Sequence, residues 1–218
     1  VPAPTEVHDA KEKLRFRNTI LTYLHVETRS LFDDQWLYVQ SPQVRTGRIT
    51  NFRNWMGQER KSRNDPASAT TILAVEQWCN DEDAHWHWDD NALIELATDE
   101  LRELGILERE RVLAGHVLRI GKSYPVYQRG YEEHVATITR YLAEIQGITA
   151  IGRGGAFKYN NQDHSILMGL LAAENILGNA GHDLWDVNAD FDRFQEQALI
   201  TATGLTTVES TRSNQLRS

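Results

Sequence analysis

The sequence predicts an α+β protein: a mostly antiparallel sheet with helices, followed by a separate strand–loop–helix segment. Three observations carry that prediction. Between residues 18 and 79, β-branched and aromatic runs alternate with short polar connections, as in an antiparallel sheet. Two later stretches repeat apolar residues at helical spacing. Residues 148–177 then pass from an apolar run, through a glycine turn and a polar loop, into a third helical pattern.

The elements follow in order. Residues 1–14, with Pro2 and Pro4, predict an extended lead-in and a short helical turn. Asn18 to Glu27 predicts a half-buried strand, Asp33-Asp34 a turn, and Gln35 to Gln40 the next strand, broken at Ser41-Pro42. Gly47 breaks the chain again before a strand over Arg48 to Trp55, and Thr70 to Cys79 predicts another. Asp89 or Asp90 caps a helix carrying Leu93, Leu96, Ala97, Leu101 and Leu104, which Gly105 stops. Val112 to Ile120 returns to strand, and Tyr124-Pro125 forces an extended or turn geometry. A second helix spans Tyr131 to Gln146, with Val135, Ile138, Leu142 and Ile145 on one face and Gly147 at its end. Ile148 to Gly152 predicts a short buried strand, and a third helix runs from near Asp163 to about Leu177. Past Gly181 the pattern weakens to one short helix near Asp190 to Ala198 and a Thr/Ser-rich, mobile tail from Thr201. The expected organisation is a sheet domain over 1–130, a closing segment over 131–180, and an extension over 181–218.

Composition excludes several classes of function. The 218 residues carry 23 Lys+Arg against 31 Asp+Glu, a net charge of −8, with no run of five basic residues. A nucleic-acid partner, which needs a basic face, is therefore not expected. One cysteine, Cys79, excludes an intrachain disulfide and a cysteine zinc cage. Its apolar neighbours place it in the core rather than at a nucleophile position. The longest apolar stretch, Ile166 to Ala173, ends at Glu174, short of the roughly 18 residues that span a bilayer. The N-terminus lacks a signal-peptide pattern and an initiator Met, so a cytoplasmic location and a processed or excised chain are expected.

The stretch from Gly152 to Ser165 (Gly152-Arg153-Gly154-Gly155-Ala156-Phe157-Lys158-Tyr159-Asn160-Asn161-Gln162-Asp163-His164-Ser165) is the most specific in the chain. A glycine turn with a basic residue leads through a polar loop to a helix start, whose N–H groups and partial positive charge suit an anionic or electron-rich ligand. Gly169, Ala172 and Ala173 leave that helix open to close approach. From spacing alone, an ordinary strand-to-helix connection capped by Asp163 is an equal reading.

Other clusters have bland alternatives. His85-Trp86-His87-Trp88 lies among acids, and on a strand its imidazoles would share a face. No third ligand is indicated, the calcium-loop glycine is missing, and no metal is expected. Trp36, Trp55, Trp78, Trp86 and Trp88, with Tyr38 and Tyr127, line a substrate pocket or simply pack around the sheet. Arg45, Arg48 and Arg53 are anion ligands or solvated side chains.

The Gly152–Ser165 stretch resembles the carboxy-terminal flavin motif of FAD-dependent oxidoreductases of the amine oxidase, protoporphyrinogen oxidase and UDP-galactopyranose mutase superfamily. Ser123-Tyr124-Pro125-Val126-Tyr127, with Tyr131, resembles the segment before that group's last helix pair. Arg15-Phe16-Arg17-Asn18, Trp36-Leu37-Tyr38 and Gly47-Arg48-Ile49-Thr50-Asn51-Phe52 resemble its substrate-binding sheet. The resemblance implies the C-terminal strand–loop–helix of an FAD-binding, Rossmann-like domain. It implies cofactor contacts from Gly152 and Arg153 in the turn, Phe157, Tyr159, Asn160 and Asn161 in the loop, and Asp163, His164 and Ser165 at the helix start. Arg153 would lie near the cofactor's polar chain, and Asp163 near the N1/O2 edge of the ring. Arg48, Trp36, Tyr38 and Tyr127 would face a small-molecule substrate. No catalytic base is identified.

The superfamily's opening Gly-x-Gly-x-x-Gly turn, which holds the FAD pyrophosphate, does not occur in this sequence. The expected protein is thus the C-terminal part of a flavoenzyme, inactive alone and completed by a Rossmann-bearing half in cis or in trans, with a homo-oligomer also open. The expected reaction is hydride transfer between substrate and FAD. The alternatives are a mutase-like nucleotide-sugar isomerase and a non-catalytic subunit.

Overall fold

Alternating side chains in Arg15–Val26 bury Ile20, Thr22, Leu24 and Val26 on one face, and this strand lies inside the sheet of the first folded unit. The computed structural model describes residues 2–55, 69–178, 180–185 and 187, together with the backbone of 199–201 and 204–206. The elements are α1 (Thr5–Lys13), β1 (Arg15–Val26), β2 (Trp36–Tyr38), β3 (Thr46–Asn51), the single turn α2 (Phe52–Trp55), β4 (Thr71–Cys79), α3 (Asp90–Glu103), β5 (Val112–Val126), α4 (Tyr131–Ala143), the single turn α5 (Gly152–Gly155), α6 (Gln162–Gly178), β6 (Leu199–Thr201) and β7 (Gly204–Thr206). They form two units. Phe16–Ser123 makes one, and Val1–Arg15 with Tyr124–Ser218 makes the other.

The Phe16–Ser123 unit is a five-stranded antiparallel sheet in the order β2-β3-β4-β1-β5, packed on α3. Leu24 and Val26 of β1, Ile49 of β3, and Leu73 and Val75 of β4 meet Ala97 and Leu101 of α3, each fully buried. Ile20, Cys79, Leu93 and Val117 extend this core. Each Leu, Ile or Val among them contributes about 1.5–3 kcal/mol by leaving water. Asp89 caps α3 by accepting from the Ala92 N–H, and Gly105 at φ +70° ends it while the Ile106 N–H bonds the Leu101 carbonyl.

A buried carboxylate locks helix to sheet. Glu100 of α3 accepts from the Arg45 and Thr46 N–H groups at 2.7 and 2.9 Å, from the Thr46 hydroxyl at 2.6 Å, and from the Gln77 amide at 3.1 Å. Four donors on β3, β4 and the turn before β3 thus converge on one helix residue.

The structure corrects several expectations in this unit. Gly47 does not break the chain but lies within β3, where the register shifts between Thr46 and Arg48. A side chain there would overlap the Trp78 ring, so the glycine is required by packing. Beyond Asn51 the predicted strand gives way to the helical turn α2. Of the extended and turn geometries expected at Tyr124-Pro125, the extended one is present: β5 runs on to Val126, and on an edge strand the missing proline N–H breaks no inner ladder. His85-Trp86-His87 forms a 3₁₀ turn rather than a strand, and the two imidazoles differ in their surroundings. His87 Nε2 is 2.7 Å from the Asp81 carbonyl, whereas His85 is buried, and burial with the charge of Arg45 lowers its pKa. Arg119 of β5 donates to the Trp86 and Trp88 carbonyls and to Asp90, which fixes this turn.

In the second unit, α1 is a full helix rather than a short turn, and it packs on α4 through an element whose buried side chains are Val7 and Ala10. Residues 1–15 therefore do not join the sheet domain expected to begin at residue 1. Ile148–Ile151 is not a strand, and both Ile148 and Ile151 are exposed. β6 and β7 pair antiparallel at the start of the Thr/Ser-rich tail. The helix expected near Asp190 to Ala198 lies outside the described residues. No helix among the described residues is long and apolar enough to cross a membrane.

Two outcomes test this account. Glu100→Ala leaves the four donors without their acceptor and is expected to lower stability by on the order of 3 kcal/mol in urea denaturation, with a smaller loss for Glu100→Gln, which keeps one oxygen. Burial pushes the Cys79 thiol up to about 11. Labelling by a thiol reagent at pH 8 is therefore expected to require unfolding. The Cys79 contribution to stability, intact below the ordinary thiol pKa, is expected to fall as pH rises from about 9 towards 11.

Candidate functional site

Gly152 adopts φ +74°, a left-handed conformation open to glycine without penalty, and starts the single turn α5. That turn directs Arg153 across the loop that follows. Its Nε and Nη2 both donate to the Asn160 carbonyl, at 2.9 and 2.6 Å. The guanidinium lies 4.7 Å from the Tyr124 ring centroid and 5.0 Å from that of Tyr159, and those rings are 5.2 Å apart. Each such cation–π contact is worth about 0.5–1 kcal/mol or more. Arg153 is thus a positioning residue: its charge is turned onto the loop itself.

The pinned loop is tied down along its length. Asn160, 1% exposed, donates to Met168 Sδ and accepts from the Ser165 hydroxyl at 3.4 Å. The Tyr159 N–H donates to the Tyr127 hydroxyl oxygen at 2.6 Å. Lys158 donates its ammonium to the Trp185 and Val187 carbonyls. Phe157 is buried at φ +47°, a left-handed conformation that costs a bulky residue on the order of 1 kcal/mol. Burial of its ring offsets that strain: Tyr127 and Tyr131 stack at 4.6 Å, and Phe157 packs 6.2 and 5.8 Å from them.

The loop ends at the start of α6. The Ser165 N–H bonds the Asn161 carbonyl at 3.1 Å, the first turn of the helix. Asp163 is exposed, and its carboxylate lies 3.2 Å from Nδ1 of the buried His164. Beside the loop is a groove of about 860 Å³, lined among the described residues by Tyr127, Tyr131, Val135, Phe157, Tyr159 and Trp185.

Of the residues singled out from sequence, the structure brings together Gly152, Arg153, Phe157, Tyr159, Asn160 and Ser165, and adds Tyr127, which had been placed with the substrate residues. Asn161, Asp163 and His164 form the adjoining helix start. Tyr124, Tyr131, Lys158 and Trp185 were not in that set. Tyr124 and Tyr131 were visible in the resembling segment, whereas Lys158 and Trp185 act through backbone carbonyls that no sequence motif marks.

Trp36, Tyr38 and Arg48 belong to the sheet unit, where cross-strand pairing places them on one face: Trp36 opposite Thr50, Tyr38 opposite Arg48, and Arg48 opposite Glu76. Arg48 lies 5.8 Å from the Tyr38 ring centroid, and Trp36 stacks on Trp55 at 5.5 Å. Arg48 grips the buried Glu76 through Nε and Nη2 at 2.7 and 2.8 Å, so a carboxylate of the protein already holds this guanidinium. Arg53 donates to the Thr70 carbonyl at 3.0 Å, and the exposed Arg45 offers its backbone N–H to Glu100.

Arg153→Ala removes both hydrogen bonds and both ring contacts and is expected to weaken the loop by about 2 kcal/mol. Amide hydrogen exchange over Phe157–Ser165 would quicken, while exchange in the sheet unit stays unchanged. Arg153→Lys is expected to restore little, because one ammonium cannot reproduce the paired donors lying flat against the rings.

No family model matches the chain, and no curated protein matches it. Among solved structures, a reduced UDP-galactopyranose mutase superposes with a TM-score of 0.67 at 24% identity, covering 83% of this chain and 37% of that one. A putative protoporphyrinogen oxidase from Exiguobacterium sp. 255-15 gives a TM-score of 0.49 at 18% identity, covering 66% of this chain and 31% of that one. The chain therefore spans little more than a third of the length of the mutase, with which it shares a fold.

Proposed function

We propose that this chain is the C-terminal portion of an FAD-dependent oxidoreductase that transfers hydride between a small-molecule substrate and the flavin. One observation carries the reading: the Gly152–Ser165 segment, whose sequence resembles a flavin motif, is clamped by Arg153 into a fixed edge running from the glycine turn to the start of α6. The donor set suits the cofactor. The first N–H groups of a helix have no intrahelical partner and favour negative charge, and α6 begins at Gln162, close in sequence after Tyr159 of the aromatic groove.

When bound, the flavin supplies the hydride acceptor. The chain's own residues bind and orient. The α6 start offers N–H donors to an electron-rich ring edge, Arg153 holds the loop that frames it, and Phe157, Tyr127 and Tyr131 present an apolar wall that excludes water. The pyrophosphate grip has to come from a Rossmann-bearing half, in cis or in trans. Apolar surface suited to such a partner is present: Ile166, Leu170 and Leu177 of α6 are 58, 48 and 87% exposed, Ile148 and Ile151 are exposed, and Gly169 faces open space. A surface of this kind marks an interaction site.

The mutase-like reading needs arginines that hold a nucleotide diphosphate. The pairing of Arg48 with Glu76 counts against it, and the redox reading is preferred.

The test is to purify the chain with and without a Rossmann-bearing half, adding FAD to both. Flavin absorbance retained only by the pair, and bleached by substrate with consumption of oxygen or a dye, is the expected result. A pair that stays colourless overturns the proposal, and turnover of a nucleotide sugar without net redox change would favour the mutase-like reading.

A further inference from the structure

The groove beside the Gly152–Ser165 segment lies wholly within the second unit. Its volume of about 860 Å³ falls within the range of small-molecule sites, roughly 300–1,000 Å³. Part of its lining is one stripe of α4, in which Glu132, Val135, Ala136, Thr139 and Arg140 recur at the spacing of a single helix face. The rest is largely aromatic: Tyr127 and Tyr131 stack, Phe157 packs beside both, and Trp185 completes the set. Charge along the groove is opposed or already engaged. Glu132 and Arg140, of opposite sign, stand about 12 Å apart along the helix axis. Lys158 directs its ammonium to the Trp185 and Val187 carbonyls. The Thr139 hydroxyl donates to the Val135 carbonyl at 2.9 Å. The Tyr127 hydroxyl differs: it accepts the Tyr159 N–H at 2.6 Å, and no acceptor takes its own proton among the described residues.

We propose that this groove takes the substrate of the flavin site, and that the substrate is an uncharged, planar ring compound bearing a carbonyl or similar acceptor. Its role as substrate rests on the flavin reading, whereas its chemistry follows from the groove alone. Aromatic rings favour offset or edge-on contact with another ring, and Val135 and Ala136 add apolar surface on the helix stripe. An ionic ligand would lose hydration in the apolar middle of the groove, where no unopposed charge replaces it. A single directed donor suffices to orient a flat ligand, and the Tyr127 O–H is that donor. Its oxygen is already held by the Tyr159 N–H, so the proton is aimed by the loop that Arg153 pins.

The experiment is fluorescence titration of the full chain with prodan, an uncharged planar ketone whose emission reports hydrogen bonding at its carbonyl. Saturable binding is expected. Tyr127→Phe keeps the ring and removes the O–H, and is expected to weaken binding about fivefold and shift the bound emission to the blue. Ala136→Phe places a ring in the groove and is expected to weaken binding about tenfold or more. Ala143→Phe, on α4 outside the groove lining, is expected to leave it unchanged. Both alanines are exposed, so the thermal midpoint is expected to hold in each variant. The proposal is overturned if the parent chain shows no saturable binding, if Tyr127→Phe binds as the parent does, or if the two alanine variants weaken binding equally. Displacement of prodan by lumiflavin also overturns it, because the groove would then seat the cofactor's own ring. The titration contains neither FAD nor a Rossmann-bearing half, so failure to bind prodan and failure to retain flavin are separate results.

Discussion

Two N–H groups of Arg153 meeting one carbonyl oxygen hold the candidate site together. A glycine-led turn has little intrinsic stability, and the loop after it carries a bulky residue in a left-handed conformation. Neither persists without a fixed end. By tying Asn160 back to the turn, Arg153 places Asn160 over Met168, sets Tyr159 against Tyr124, and settles where α6 begins. The aromatic stack of Tyr127, Tyr131 and Phe157 works in the same direction, since apolar burial pulls inward the one residue whose backbone resists. The charge that sequence resemblance assigns to a ligand is used to build the surface a ligand would meet.

The sheet unit solves a similar problem with the opposite sign. There a carboxylate is buried, and Glu100 is made tolerable by four donors drawn from β3, β4 and the turn before β3. Both units thus rely on one long polar side chain reaching backbone groups outside its own element, Glu100 far along the sequence and Arg153 across the adjoining loop.

Much of this was legible in the sequence because local signals suffice for it. β1, β4, α3 and α6 follow from alternating or helical spacing with recognisable caps. The Gly152–Ser165 segment stood out because its glycine, basic and capping residues fall in a tight order. What failed depended on neighbours. Gly47 looks like a breaker until the Trp78 ring occupies the space a side chain would need. Ile148–Ile151 has a strand's composition, yet a strand exists only when another pairs with it. Tyr124-Pro125 left an extended or a turn geometry open, and its place on a sheet edge is what admits the extended one. For Arg48 the sequence left an anion ligand and a solvated side chain open, and only the register of β3 on β4 reveals Glu76 opposite. Sequence periodicity reports which face is apolar; it does not report what lies across from it.

The pairing of Arg48 with Glu76 has a consequence for how the open face of the sheet can recognise anything. A closed ion pair projects a dipole rather than a net charge, and the rings of Trp36, Tyr38 and Trp55 around it are neutral. Attraction to that face is therefore short-ranged, made of ring contact and hydrogen bonding, and added salt screens it little. A ligand would find this face by collision, not be drawn to it from a distance, and would leave it at a rate indifferent to the ionic strength around it.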